Sequence, residues 1–166
     1  MGPETLVIRE AVPADVGSIA AIYNQGIVDR VATLETEERT PEERAAWLAA
    51  RSFRHPVLVA EVAGQAVGWG SLNPFNPRKA YDHVADFSLY VERGWRGKGV
   101  GGGLLAALID RARGLEYHKL VLAAFPWNAA GMALYQKHGF RTVGIYKEQG
   151  LLDGKWVDTI LMEKIL

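Results

Sequence analysis

Val84-Ala85-Asp86-Phe87-Ser88-Leu89-Tyr90-Val91 runs through Glu92-Arg93-Gly94-Trp95 into Arg96-Gly97-Lys98-Gly99-Val100-Gly101-Gly102. The first eight residues alternate and are rich in strand formers, which predicts a long strand. Gly97 to Gly103 is glycine-rich, and Leu104, Leu105, Leu108 and Ile109 then recur at helical spacing. A strand therefore runs into a glycine loop that opens a helix. Glycines let the backbone fold tightly, so that several N–H groups point at one spot. The helix N-terminus adds partial positive charge. Arg93, Arg96 and Lys98 add full charges, and the sum is a site for a pyrophosphate.

Two patterns compete for this loop. Gly97-x-Gly99-x-x-Gly102 matches the dinucleotide fingerprint, and Glu116 follows at about the 20-residue spacing that it asks for. That fingerprint belongs to the first strand of a doubly wound parallel sheet. Here most of the chain precedes the loop, and the chain ends on a hairpin signal, so a nucleotide-dependent oxidoreductase is not expected. The other pattern is Arg/Gln-x-x-Gly-x-Gly/Ala, met by Arg96-Gly97-Lys98-Gly99-Val100-Gly101. Further on come Pro126-Trp127-Asn128-Ala129-Ala130 and Ala133-Leu134-Tyr135-Gln136-Lys137-His138-Gly139-Phe140. Together these stretches resemble the two motifs of the GNAT N-acetyltransferase superfamily: the loop that holds the CoA pyrophosphate, and an Asn opening a helix that ends in Tyr-x-Lys-x-Gly-Phe. The bland alternative for the loop is a glycine-rich helix cap.

The rest of the chain supplies the remaining elements. Leu6-Val7-Ile8-Arg9 predicts a first strand, and Val12-Pro13-Ala14-Asp15 opens a helix with Ile19, Ile22, Tyr23 and Ile27 on its apolar face. Gly26 to Arg39 reads as a polar loop. Thr40-Pro41-Glu42-Glu43 matches a capping box before a second helix through Trp47 and Leu48. Val57–Val62 and Ala66–Leu72 predict a hairpin about Ala63-Gly64-Gln65, followed by a loop at Asn73–Arg78. Lys119–Ala123 predicts a buried strand and Asn128–His138 a short helix. Thr142–Tyr146 and Trp156–Met162 predict strands about the Asp153-Gly154 turn. The expectation is one mixed α/β (α+β) domain over residues 1–166. The resemblance implies a GNAT fold, with a mostly antiparallel sheet of six to seven strands and about four helices.

Composition narrows the class. Lys plus Arg and Asp plus Glu number 19 each, so nothing drives bulk attraction to nucleic acid or a membrane surface. The chain has 0 cysteines, which removes disulfides, thiolate metal sites and a cysteine nucleophile, and fits the cytoplasm. Met1 to Glu10 shows no signal-peptide pattern, and no apolar run reaches membrane length. His55, His83, His118 and His138 lack metal-ligand spacing, so no metal is expected.

The resemblance also assigns roles. It implies acetyl-CoA as donor, and without cysteine it implies direct attack of an amine on the thioester in a ternary complex. Leu89, Tyr90 and Val91 occupy the strand that pairs with the pantetheine arm, and one of their N–H groups polarises the acetyl carbonyl. Arg96, Gly97, Lys98, Gly99, Val100, Gly101 and Gly102 take the pyrophosphate, with Asn128, Tyr135 and Lys137 completing the cofactor site. Asn128 reads equally as an N-cap. Tyr135 matches the family's general acid, against the alternative of a core aromatic.

Asp86 is the candidate base. A carboxylate in mid-strand needs a reason, because an unpaired buried charge is costly. The phosphinothricin acetyltransferase branch carries Glu at the matching position. The shorter Asp favours relay through a water, and a structural hydrogen bond is the alternative.

Ile22–Val28, Thr33–Glu37 and Asn73–Tyr81 resemble that branch, which acetylates phosphinothricin, methionine sulfoximine and methionine sulfone. The implied acceptor is a small glutamate-like amine. Arg78, with Lys79 in reserve, would clamp its carboxylate, and Glu35 would meet its ammonium. Phe75, Tyr81 and His83 would wall the pocket, with His83 assisting a proton relay. Arg78 and Lys79 read equally as solvated loop charges. Trp156 and Ile160 are candidates for the face of the homodimer that related enzymes commonly form. Acetylation of a protein N-terminus or lysine, and a non-catalytic CoA-binding module, are the competing functions.

Overall fold

The computed structural model describes residues 5–31 and 33–166; Met1 to Glu4 of the signal-peptide reading lie outside the described residues. The chain runs β1 (Leu6–Glu10), α1 (Val16–Asp29), α2 (Pro41–Ala49), β2 (Val57–Val62), β3 (Gln65–Pro74) and β4 (Val84–Val91). It continues through α3 (Val100–Gly114), β5 (Lys119–Ala124), α4 (Ala129–Lys137), β6 (Arg141–Leu152) and β7 (Lys155–Ile165). The seven strands form one sheet in the order β1-β2-β3-β4-β5-β7-β6. β4 and β5 are parallel and the other neighbours antiparallel. This is the mixed, mostly antiparallel sheet with four α-helices that the sequence leads one to expect.

Each face of the sheet carries its own core. On one, Leu104, Leu105 and Leu108 of α3 are fully buried against Leu58, Ala60, Leu72, Phe87 and Leu120. Each such leucine contributes about 2 kcal/mol, so Leu108→Ala strikes where the helix meets the sheet. On the other face, Ile19, Ile22, Tyr23 and Ile27 of α1 pack on Val57, Val59, Trp69 and Tyr90. The two-residue period of β4 divides its side chains between these cores, with Phe87 in the first and Tyr90 in the second.

Three features differ from the sequence reading. α1 continues past Gly26 to Asp29, because Gly26 lies against the Tyr90 ring: a Cβ there would come within 3.3 Å of Tyr90 Cδ1. Close packing keeps this weak helix former helical, and the helix stops at Arg30, which is left-handed at φ 55°. At α2 only half of the capping box forms. The Thr40 hydroxyl accepts from the Glu43 N–H at 3.1 Å, while the Glu43 carboxylate turns to Arg39 at 3.5 Å. β6 runs on to Leu152, with irregularities at Thr142/Gly144 and Tyr146/Gly150 that break the alternation by which it would have been recognised.

Candidate active site

β4 and β5 pair at three positions only: Val84 with Lys119, Ala85 with Leu120, and Asp86 with Val121. Beyond Asp86, β4 keeps its partner β3, and β5 keeps β7 as far as Ala124. The strands thus diverge, and a cleft of about 620 Å³ opens between them. The Glu92 N–H donates to the Val67 carbonyl at 2.8 Å. Amide direction alternates along a strand, so Tyr90 also turns its N–H toward β3, and Leu89 and Val91 turn theirs toward the gap.

At one end of the cleft, Gly97 (φ 75°) and Gly99 (φ 86°) adopt left-handed backbone that L-residues resist, and Gly99 caps α3. The first amides of this 15-residue helix therefore open onto the cleft. The cations behave otherwise than expected. Arg93 and Arg96 both pair with Asp29 of α1, at 2.8 and 2.7 Å, and hold its carboxyl below the usual range. Arg96 still lines the cleft and donates to the Val91 carbonyl at 3.3 Å. Much of the positive charge is already met, whereas the first amides of α3 keep donor capacity on the cleft.

Leu89, Tyr90, Val91, Arg96, Gly97, Gly99, Gly101, Gly102, Asn128 and Tyr135 line the cleft. Lys98, Val100 and Lys137 do not. Lys98 lies over the Trp95 ring, 5.3 Å from its centroid. Val100 is buried beneath α3, since its side chain leaves the helix on the core side. Lys137 is exposed in the last turn of α4, the far end from the cleft-lining Asn128. Asn128 is the N-cap of α4, accepting from the Gly131 N–H at 3.0 Å, and its amide donates to the Val31 carbonyl at 3.4 Å.

Asp86 and Tyr135 both line the cleft. Burial pushes the Asp86 carboxyl up to about 6, against a hydrogen bond from Asn73 that draws it down. The Tyr135 phenol is raised by burial and by the Asp86 charge, so it keeps its proton at neutral pH. Its ring packs on Phe87 and Phe140, with centroids at 5.8 and 6.2 Å. Tyr135 is thus a core aromatic whose ring also lines the cleft.

The expected acceptor residues are not brought together. None of Glu35, Phe75, Arg78, Lys79, Tyr81 and His83 lines the cleft. Glu35 is paired with Arg39 at 3.0 Å. Phe75 and Tyr81 meet edge-on at 5.8 Å, and the Arg78 N–H donates to Asn76 Oδ1 in a local turn. Arg78, Lys79 and His83 are exposed, and His83 faces His118 with centroids 5.9 Å apart. Ile160 packs toward the main core, whereas Trp156 is exposed. Among the described residues no group of His, Asp and Glu could hold a metal ion.

Sequence reasoning missed Arg44, Arg51 and Asn73. Arg44, Trp47, Leu48 and Arg51 recur at helical spacing and are the half-buried side of an otherwise exposed α2 segment. Two cations on an inward stripe were a legible signal. Arg44 lies over Tyr23 and Trp47, 5.0 and 4.6 Å from their centroids. Asn73 was unreadable, since only the β3–β4 register sets it opposite Asp86.

The model of the family described as "Acetyltransferase (GNAT) family" matches residues 22–140, from α1 through the loop to Phe140. This chain belongs to the GNAT acetyltransferase family. Among GNAT proteins, it is 35% identical to the L-methionine sulfoximine/L-methionine sulfone acetyltransferase of Pseudomonas aeruginosa, over 94% of this chain and 92% of that one. It superposes on a ribosomal-protein-alanine N-acetyltransferase from Brucella melitensis with a TM-score of 0.93, at 39% identity, covering 96% of this chain and 99% of that one. It matches a phosphinothricin acetyltransferase from Sinorhizobium meliloti, solved in complex with acetyl-CoA, with a TM-score of 0.91, 30% identity and coverages of 98% and 89%. As a GNAT member the chain is an N-acetyltransferase, and the matched residues include both the divergence of β4 from β5 and the glycine loop.

Proposed function

We propose that this single-domain enzyme transfers the acetyl group of acetyl-CoA to the amino group of a small amino-acid analogue of the phosphinothricin or methionine sulfoximine type, by direct attack in a ternary complex. The observation that carries the proposal is the gap between β4 and β5, lined by Asp86 and Tyr135 and closed at one end by the α3 amides. The donor suits this cleft. The amides at Gly97–Gly102 suit a diphosphate, and the free strand edge at Leu89 and Val91 suits the amide groups of a pantetheine arm. Asn128 adds a polar side chain along the wall.

Bound acetyl-CoA supplies a thioester whose carbonyl carbon an amine can attack. Asp86, directly or through a water, takes a proton from the acceptor's ammonium, freeing the amine to attack. The N–H of Leu89 or Val91 meets the negative charge that grows on the acyl oxygen. Tyr135 gives its proton to the sulfur as the C–S bond breaks and the C–N amide bond forms. No residue is acylated, in keeping with the absence of cysteine from the sequence. The relatives named for methionine sulfoximine and phosphinothricin support the acceptor class, whereas the Brucella relative is named for a ribosomal-protein alanine. Arg78 and Lys79 stay in reserve as carboxylate partners, on a loop that would have to approach the cleft.

An amine panel with acetyl-CoA, read by released thiol, tests this: phosphinothricin, methionine sulfoximine, methionine sulfone, polyamines and alanine-headed peptides. The expected result is turnover of the first three, with initial-rate lines that intersect. Preference for the peptides would overturn the acceptor class, and parallel lines the ternary complex. CoA binding without turnover of any amine, and indifference to Tyr135→Phe, would mark a non-catalytic module. A second copy of the chain is proposed to cover the apolar β6–β7 hairpin, forming a homodimer.

A further inference from the structure

Asn73 sits where β3, β4 and the end of α2 bring polar groups together beside Asp86. Its amide oxygen accepts from the Arg51 guanidinium at 2.8 Å and from the Ser71 hydroxyl at 3.0 Å. A guanidinium has no acceptor atom, so chemistry alone dictates that the oxygen faces Arg51. The NH₂ end is thereby turned toward β4. It donates to Ser88 Oγ at 3.0 Å, and across the ladder it sits opposite its register partner Asp86, whose carboxyl it draws down.

Arg51 is itself held in place. Its Nε donates to the His55 carbonyl at 2.8 Å, Nη2 also reaches the Leu72 carbonyl, and the guanidinium lies 4.5 Å over Trp47. Burial and the like charge of Arg44 pull it down to about 10, and no carboxylate among the described residues offsets them. A cation desolvated in this way is costly, and its side-chain partner here is Asn73.

We propose that Asn73, clamped by Arg51 and Ser71, is a positioning residue that aims the Asp86 carboxylate into the cleft and keeps it ionised for proton removal. The proposal rests on Asp86 being the base. Asn73 is the neighbour whose hydrogen bonding draws the Asp86 carboxyl down. Val121 of β5 is apolar, Tyr135 of α4 is a neutral phenol at working pH, Ser88 and Ser71 are hydroxyls, and Arg51 stands behind Asn73. His83, at the entry to β4, faces His118.

The test is the pH dependence of kcat/KM for the best amine of the panel at saturating acetyl-CoA. Asn73→Ala is expected to move the acid limb up by about one pH unit, with KM for acetyl-CoA within about twofold of the parent. Arg51→Met keeps the stem on Trp47 but removes one donor from the amide oxygen, and moves the limb the same way by less. Thermal unfolding and CoA binding establish that each variant is folded. A folded Asn73→Ala protein with an unmoved acid limb overturns the proposal. If these variants do not fold, carboxyl ¹³C titration of Asp86 in Ser71→Ala decides: an upward shift supports the clamp, and none refutes it. Asp86→Asn in parallel separates the two readings. Full activity there removes Asp86 as base, whereas a lost acid limb with no response to Asn73→Ala removes only the positioning role.

Discussion

At Asp86, desolvation and a hydrogen bond pull against each other, and desolvation wins, leaving the carboxyl at about 6 against 3.8 for a free one. The folded chain therefore binds a proton that the unfolded chain has released over this interval. The carboxyl favours the fold below its unfolded value, and that advantage is lost as pH rises through about 6. Asp86→Asn is expected to raise stability by roughly 2 kcal/mol at pH 8, read by urea unfolding. The same change is expected to cut kcat/KM by about 100-fold. A residue whose removal steadies the fold and stops the reaction is kept for chemistry. Tyr135→Phe leaves the ring on Phe87 and Phe140 and removes only the proton donor. A fall in kcat of about 100-fold with little change in KM for acetyl-CoA is expected, and steady-state rates over both substrates would show it.

Among the elements, α3 shapes the end of the cleft proposed to hold the diphosphate. Its cap, Gly99, sits at φ 86° with open space where a Cβ would go, so a substitution there meets backbone strain and no clash. Gly99→Ala is expected to cost about 1–2 kcal/mol and to turn the first amides of the helix away from their common focus. The measurable outcome is a rise in KM for acetyl-CoA exceeding any change in kcat, together with a lower melting temperature. Glycines serve α3 in another way along its length: a Cβ on Gly103 would come within 2.8 Å of Leu6 Cδ2, so a side chain there would make the Leu6 tip shift.

On the scale of the whole molecule, the β6–β7 hairpin is the conspicuous surface. Ile145, Tyr146, Leu151 and Trp156 are each more than half exposed, with Trp156 at 65%, on the edge of the sheet. The proposed homodimer would cover this patch. Trp156→Glu is expected to convert a dimer to a monomer, as measured by light scattering during size-exclusion chromatography, with the acetyl-CoA site intact by binding. A wild-type chain that elutes as a monomer at micromolar concentration would remove the dimer.

Resemblance to the family's motifs singled out Asp86 and Tyr135, whereas the sequence by itself determined the strand-to-loop-to-helix unit at Val84–Gly114 and the seven strands. These are signals of local backbone chemistry: glycine runs, two- and 3.6-residue periods, and caps. It left the end of α1 and the length of β6 undetermined, because packing on Tyr90 and irregular register override local preference there. Only the tertiary structure decided how charges are spent. Asp29 reaches Arg93 and Arg96 from a distant helix, Lys98 turns to Trp95, and Asn73 meets Asp86 through the register of a ladder. A side chain's type is written in the chain, but its partner depends on which elements come to lie side by side, and that is settled by the burial of the two cores.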